Sequence, residues 1–294
     1  MKLYSQQLDT YCAAVEHALP SYLPAPKDGE ETVCHAMAYA CEAGGKRLRP
    51  VLLCAFAALA GGDVAAAMPY ACAIEMIHSY SLVHDDMPCM DNSPLRRGKP
   101  SVHAKFGEDM ALLCGDALLN RAFETVLSAD TAIAADRRLR ASFVLARAAG
   151  IRGMIGGQTI DLENEGKAIE LPLLEELHRK KTGALITAAC EMGAILGGGD
   201  DTLIAAAREY GKSVGLCFQL VDDILDVTAT AEELGKPVGG DEQNEKNTYV
   251  SLLGLSETRR LAAAQTDNAI AALDGIDGAD DLKTLATALL SRTL

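Results

Sequence analysis

Two groups of aspartates carry the chemistry for which this chain is equipped: His84-Asp85-Asp86-Met87-Pro88-Cys89-Met90-Asp91 and Gln219-Leu220-Val221-Asp222-Asp223-Ile224-Leu225-Asp226. Each ends an apolar stretch of helical period. Like charges gathered in a partly buried place repel, so carboxylates arranged this way need cations. Hard divalent ions take oxygen ligands, and Mg2+ usually joins one or two carboxylates to phosphate oxygens instead of sitting in an all-protein cage. Two such clusters suggest a diphosphate clamped between them. A lone Asp-Asp pair is more often a solvated helix end, so the neighbouring residues have to decide.

In the second cluster Asp222 and Asp226 lie one turn apart on one helix face, with Gln219 a turn earlier. In the first, His78 and Asp85 share a face two turns apart, but Asp91 falls off that face and Pro88 disturbs the helix. The chain must loop there for Asp85 and Asp91 to share an ion. Positive charge collects at Gly44-Gly45-Lys46-Arg47-Leu48-Arg49-Pro50, Leu95-Arg96-Arg97-Gly98-Lys99-Pro100, Lys180-Lys181-Thr182-Gly183 and the lysines Lys236 and Lys246. Each alone reads as an ordinary solvated loop. In a chain of net charge −14, cations concentrated beside aspartates suggest anionic ligands, with Arg suited to bidentate phosphate contact and Lys to point-charge contact.

The elements that must position these residues are helical. Helical period runs over 3–19, 31–43, 50–59, 64–86, 109–127, 136–150, 173–196, 203–226, 256–273 and 279–294, punctuated by the glycine pairs at 44–45 and 61–62 and by Pro50 in a first turn. The 64–86 stretch is nearly all apolar, as a central buried helix should be. No segment alternates like a strand for long, so the reading is all-α, one domain over 1–294. The irregular segment 228–247 is long enough to be functional. A hydrophobic share of 49% with only 4% aromatics and no Trp agrees with an Ala- and Leu-rich helical core.

Strong net acidity argues against nucleic acid or anionic lipid as a main partner. No run of about 18 apolar residues predicts a membrane span, and the first residues lack the pattern of a signal peptide, so a cytoplasmic location is expected. The nine cysteines stand singly without a Cys-x-x-Cys pair, which predicts reduced core thiols.

Gly-Gly-Lys-Arg-Leu-Arg-Pro at 44–50, His-Asp-Asp-Met-Pro-Cys-Met-Asp-Asn at 84–92, Leu-Arg-Arg-Gly-Lys-Pro at 95–100, Lys-Thr-Gly at 181–183 and Phe-Gln-Leu-Val-Asp-Asp-Ile-Leu-Asp at 218–226 closely resemble, in order, the trans-isoprenyl diphosphate synthases. The likeness is greatest to the bacterial farnesyl diphosphate synthases, whose first aspartate motif has four residues between the pair and the last Asp, as here. The resemblance implies the isoprenoid synthase fold, antiparallel helices around a deep central cavity, and a homodimer. It implies that Asp85 and Asp91 hold two Mg2+ ions and Asp222 a third, with Asp86, Asp223 and Asp226 in support. Arg96, Lys181 and Lys236 would then bind the allylic diphosphate, and Lys46, Arg49, His78 and Arg97 that of isopentenyl diphosphate. Thr182 and Gln219 would lie beside the developing allylic cation, and Lys246 would help close the 228–247 loop. The implied reaction ionises the allylic C–O bond, adds the isopentenyl double bond to the cation and loses a proton to the released pyrophosphate, with water excluded.

Tyr80 lies about 7.5 Å further from the metals than Asp85 along a helix, with Ser81 next to it. In the family these two positions floor the growing product, and Tyr80-Ser81 resembles the C15 pattern, farnesyl diphosphate made from dimethylallyl or geranyl diphosphate. A smaller residue in place of Tyr80 is typical of C20, geranylgeranyl diphosphate, enzymes. Tyr80 also reads as an ordinary core aromatic with its hydroxyl satisfied. Rival activities fit less well. A class I terpene cyclase normally lines its cavity with aromatics. A phosphohydrolase built on His84-Asp85 would need more ligand histidines than the ungrouped ones at 17, 35, 78, 103 and 178.

Overall fold

The computed structural model describes residues 3–27, 29–229 and 247–291; Lys236 and Lys246 lie outside the described residues. The all-α expectation holds. In chain order the helices are α1 (Gln6–Tyr22), α2 (Glu31–Cys41), α3 (Leu48–Leu59), α4 (Val64–Asp85), α5 (Val102–Phe106), α6 (Glu108–Leu127), α7 (Ala135–Ala149), α8 (Met154–Glu163), α9 (Leu171–His178), α10 (Ala184–Gly197), α11 (Asp201–Thr228), α12 (Tyr249–Leu253), α13 (Leu255–Ala271) and α14 (Asp280–Leu290). A π turn, Arg179–Gly183, joins α9 to α10, and a small antiparallel hairpin, β1 (Leu95–Arg96) and β2 (Lys99–Pro100), follows α4.

Residues 69–77 of α4 are buried on every face, as the near-continuous apolar run requires, and the helix packs against α3, α6 and α10. Its start is capped by Asp63, whose carboxylate accepts from Ala65 N at 2.9 Å. Asp200 caps α11 in the same way, accepting from Leu203 N at 2.8 Å. Glycines set the approach of α10 to α3: a Cβ at Gly193 would stand 2.3 Å from Leu53 O. A second, smaller apolar cluster of Leu174, Leu220, Val221, Ile224, Tyr249 and Ala262 underlies the end of α11. The two aspartate groups thus end α4, whose middle is fully enclosed, and α11, the longest helix described.

Several elements differ from the sequence expectation, among them the added short helices α5 and α12 and the hairpin. The first helix runs through Pro20 to Tyr22, where Leu23 N closes it on Pro20 O at 3.2 Å. Helix α8 forms although Gly156 and Gly157 lower its intrinsic propensity. The 173–196 stretch is two helices with a π turn between them, not one rod. All nine cysteines are free thiols, eight of them buried or half-buried and Cys89 exposed. Among the described residues no helix is long and apolar enough to cross a membrane.

Candidate functional site

Helix α4 stops at Asp85, and the chain folds back on its end. Asp91 N donates to Asp85 O at 2.9 Å, Asn92 N to Met87 O at 3.0 Å and Ser93 N to Asp86 O at 3.1 Å. This is the loop that the spacing and Pro88 demanded, and it returns Asp91 to Asp85. The three carboxylates do not share one environment. Asp85 and Asp91 are half-buried, whereas Asp86 is 2% exposed. Asp86 faces inward to Arg96, whose Nε lies 3.1 Å from both carboxylate oxygens while Nη2 donates to Oδ1. Burial pushes the Asp86 carboxyl up from its usual range, and the Arg96 guanidinium opposes that rise.

Arg96 and Arg97 leave the hairpin in different directions. Arg97 (φ 53) and Gly98 (φ 74) form its two-residue turn, the left-handed pair that suits a tight hairpin. Arg97 Nη1 donates to Gly44 O, and the neighbouring Gly45 (φ 123) has a backbone conformation that favours glycine. The two basic turns are thereby locked together. Lys46 Nζ lies 5.2 Å from the Phe218 ring centre, next to Gln219 of the second cluster. His78 is held well below its usual range, chiefly by burial and then by Arg49, Arg97, Arg96 and Arg47, so the imidazole is neutral among guanidinium groups. Burial pushes Arg49 down to about 10, with Glu75 opposing and Arg97 adding, and its buried Nε has no hydrogen-bond partner.

Helix α8 and the π turn connect the two clusters. A Cβ at Gly157 would come 2.2 Å from Lys181 N and 2.6 Å from its Cα, so glycine lets α8 lie directly on the turn. There Gln158 Nε2 donates to Asp85 Oδ1 at 2.6 Å. Lys181 Nζ donates to Asp161 Oδ2 at 2.6 Å and stands 3.7 Å from Asp85 Oδ1. Next to it, the Thr182 hydroxyl donates to Gln219 Oε1 at 3.0 Å, Gln219 Nε2 donates to Asp223 Oδ1 at 2.8 Å, and Tyr249 N donates to Asp223 Oδ2 at 2.7 Å. A line of polar contacts thus runs from Asp85 to Asp223. Asp222 is half-buried, and Asp223 and Asp226 are buried. Gln158 and Asp161 are absent from the sequence reading. Their signal is a Gln-x-x-Asp spacing after a glycine pair, which shares one helix face but which glycines disguise.

Tyr80 is buried, its hydroxyl has no hydrogen-bond partner, and its ring meets His84 edge-on at 5.9 Å. Burial pushes that phenol up to about 12. The Ser81 hydroxyl donates to His78 O at 2.8 Å. Among the described residues no three His, Cys, Asp or Glu side chains converge closely enough to hold an ion by themselves. Half-buried carboxylates with basic side chains beside them suit an ion shared between protein and phosphate oxygens.

Half-buried carboxylates flanked by basic side chains in an all-helical frame could take up a diphosphate. Comparison with known proteins narrows that reading. The polyprenyl synthetase family matches residues 30–285. The chain is 47% identical over 259 residues to farnesyl diphosphate synthase of Geobacillus stearothermophilus, covering 88% of this chain and 87% of that one. It is 52% identical over 236 residues to the putative chloroplastic geranylgeranyl pyrophosphate synthase 8 of Arabidopsis thaliana, spanning 79% of this chain but under two thirds, 65%, of that relative. The crystal structure of a geranyltransferase from Helicobacter pylori complexed with magnesium and isoprenyl diphosphate superposes with a TM-score of 0.86 at 35% identity, covering 99% of this chain and 98% of that one. The chain belongs to the polyprenyl synthetase family and is a trans-prenyltransferase.

Proposed function

We propose that residues 1–294 form a single farnesyl diphosphate synthase domain, which condenses isopentenyl diphosphate with dimethylallyl and then geranyl diphosphate to a C15 product. The observation that carries this reading is Tyr80. It is a buried aromatic on α4, about 7.5 Å along the helix from Asp85, with its ring packed on His84 and its hydroxyl unpartnered. A core tyrosine normally satisfies its hydroxyl. An unpartnered one fits a wall facing hydrocarbon.

Asp85 and Asp91 hold two Mg2+ ions and Asp222 a third. The donor set fits, because these are the half-buried carboxylates of the two clusters, and Asp85 Oδ1 already attracts an amide and an ammonium group. When bound, the ions supply Lewis-acid stabilisation of charge on the departing diphosphate. Arg96 and Lys181, with Lys236, bind the allylic diphosphate. Asp86 and Asp161 hold the first two of these cations in place before the substrate arrives. Thr182 and Gln219 turn oxygen atoms toward the allylic cation, their mutual hydrogen bond keeping both in register. Lys46, Arg49, His78 and Arg97 bind isopentenyl diphosphate, and Lys246 belongs to the closing segment. A second copy of the chain covers the exposed apolar residues Leu112, Leu113, Leu139, Phe143, Ile151 and Ile155 of α6 to α8, giving a homodimer. A cytoplasmic location agrees with nine free thiols.

The test is product analysis with Mg2+, isopentenyl diphosphate and each of dimethylallyl, geranyl and farnesyl diphosphate. The expected end product is farnesyl diphosphate, and Tyr80→Ala is expected to shift it to C20 or longer. A native C20 product, or an unchanged profile in Tyr80→Ala, would overturn the chain-length reading.

A further inference from the structure

Beneath the basic turn lies a buried ion pair with no part in the reaction as described. Arg47 precedes α3 in left-handed backbone (φ 48) and sends its guanidinium inward. Nη1 donates to Glu75 Oε1 and Nη2 to Cys41 O, both at 2.7 Å, and the two side chains are 4% and 3% exposed. Left-handed backbone is uncommon for a residue with a Cβ and persists where the surroundings over-determine it. The ion pair is such a restraint. Arg47 sits between Lys46 and Arg49, so fixing its backbone fixes the directions in which Lys46 and Arg49 leave the turn.

Glu75 has a second reach. It lies one turn before His78 on α4, and its charge stabilises the protonated guanidinium of Arg47, Arg49 and Arg97 alike. Its Oε2 is buried without a hydrogen-bond partner. Arg49 and Arg97 repel one another, as do Arg97 and Arg47, and a buried anion among them offsets that repulsion.

We propose that Glu75, acting through Arg47, is the positioning residue and resident counter-charge of the isopentenyl diphosphate subsite. It holds the 44–49 turn in shape and keeps Arg49 and Arg97 gathered while no diphosphate is present. This rests on assigning Lys46, Arg49, His78 and Arg97 to that substrate. The allylic cations have their own anions, Asp86 for Arg96 and Asp161 for Lys181, so the loss of Glu75 falls on one substrate.

The experiment measures KM for both substrates, kcat and thermal unfolding in Glu75→Gln, in the neutral pair Arg47→Gln/Glu75→Gln and in Arg49→Gln. Glu75→Gln is expected to raise the isopentenyl diphosphate KM about tenfold or more, with the geranyl diphosphate KM and kcat within about threefold. The neutral double variant removes the unpaired buried charge, so it recovers stability while keeping the raised KM. It decides the matter should Glu75→Gln fail to fold. An unchanged isopentenyl diphosphate KM in the double variant, or a parallel rise for both substrates, overturns the inference. Arg49→Gln separates the causes. If it raises that KM and the Glu75 variants do not, Glu75 alone is misassigned; if it too has no effect, the subsite assignment falls and this inference with it.

Discussion

The two aspartate clusters reach similar composition by opposite means. The second lies on a continuous helix, where Asp222 and Asp226 are about 6 Å apart along the axis, and its buried Asp223 accepts from the Gln219 amide and the Tyr249 N–H. The first is bent. A backbone turn returns Asp91 to Asp85, and cations come with it: Arg96 is paired with Asp86, and Lys181 stands near Asp85 beside the Gln158 amide. The bent cluster meets Arg96 and Lys181 from other elements, and in the straight one Gln219, one turn before Asp223 on the same helix, is among the partners.

The sharpest way to break this comparison is to neutralise one aspartate in each cluster. Asp85→Asn is expected to lower kcat about 10³-fold or more and Asp222→Asn about 10²-fold, since under the proposed assignment the first would share two ions and the second would hold one. Equal losses, measured by product formation at saturating Mg2+, would erase the distinction. Next in size is Gly157→Ala. Its Cβ would collide with the backbone of Lys181, and a displacement of about 1 Å there is expected to reduce kcat about 10²-fold, leaving the isopentenyl diphosphate KM near its native value.

Stability separates the clusters less widely. Asp86→Ala leaves Arg96, about a third exposed, without its carboxylate, and denaturant unfolding is expected to show a loss of about 2 kcal/mol. Asp223→Ala removes the acceptor of two neutral donors and is expected to lose about 1 kcal/mol. The smallest effect lies at the junction between the clusters, at His178, whose ring centre lies 5.3 Å from that of Tyr249. Burial pushes His178 from 6.5 down to about 4, so the unfolded chain takes up a proton at a higher pH than the folded one. Its contribution is complete above a pH of about 6.5 and is lost as pH falls toward 4. His178→Phe is expected to flatten the acid limb of Tm against pH by a few degrees, read by calorimetry.

Legibility in the sequence followed the physics of each element. Helices with strong apolar period were readable along most of their length, and so was the need for a turn after Asp86, because proline and spacing exclude a regular helix there. Helix α8 was not readable. Its glycines signal a break in isolation and serve as a contact surface only once the π turn lies against them. Gln158 and Asp161 were hidden with it. Arg47 and Glu75 were hidden for another reason: they are 28 residues apart, and nothing local marks an Arg that turns inward from a basic run. The hairpin at 95–100 was visible only as a basic turn, since two residues per strand carry no alternation.

The π turn has a further consequence, in the arithmetic of insertion and deletion. A π turn closes its hydrogen bonds one residue later than an α-helix, so Arg179–Gly183 acts as one residue added to an otherwise continuous α9–α10 rod. Removing one residue of that segment would let the rod anneal into plain α-helix with its two ends in nearly unchanged register, and only the side chains of the turn itself would change direction. Lys181 and Thr182 would then leave different faces. This stretch of chain should tolerate substitution at several positions yet tolerate no change of length, a constraint written in residue count instead of residue type.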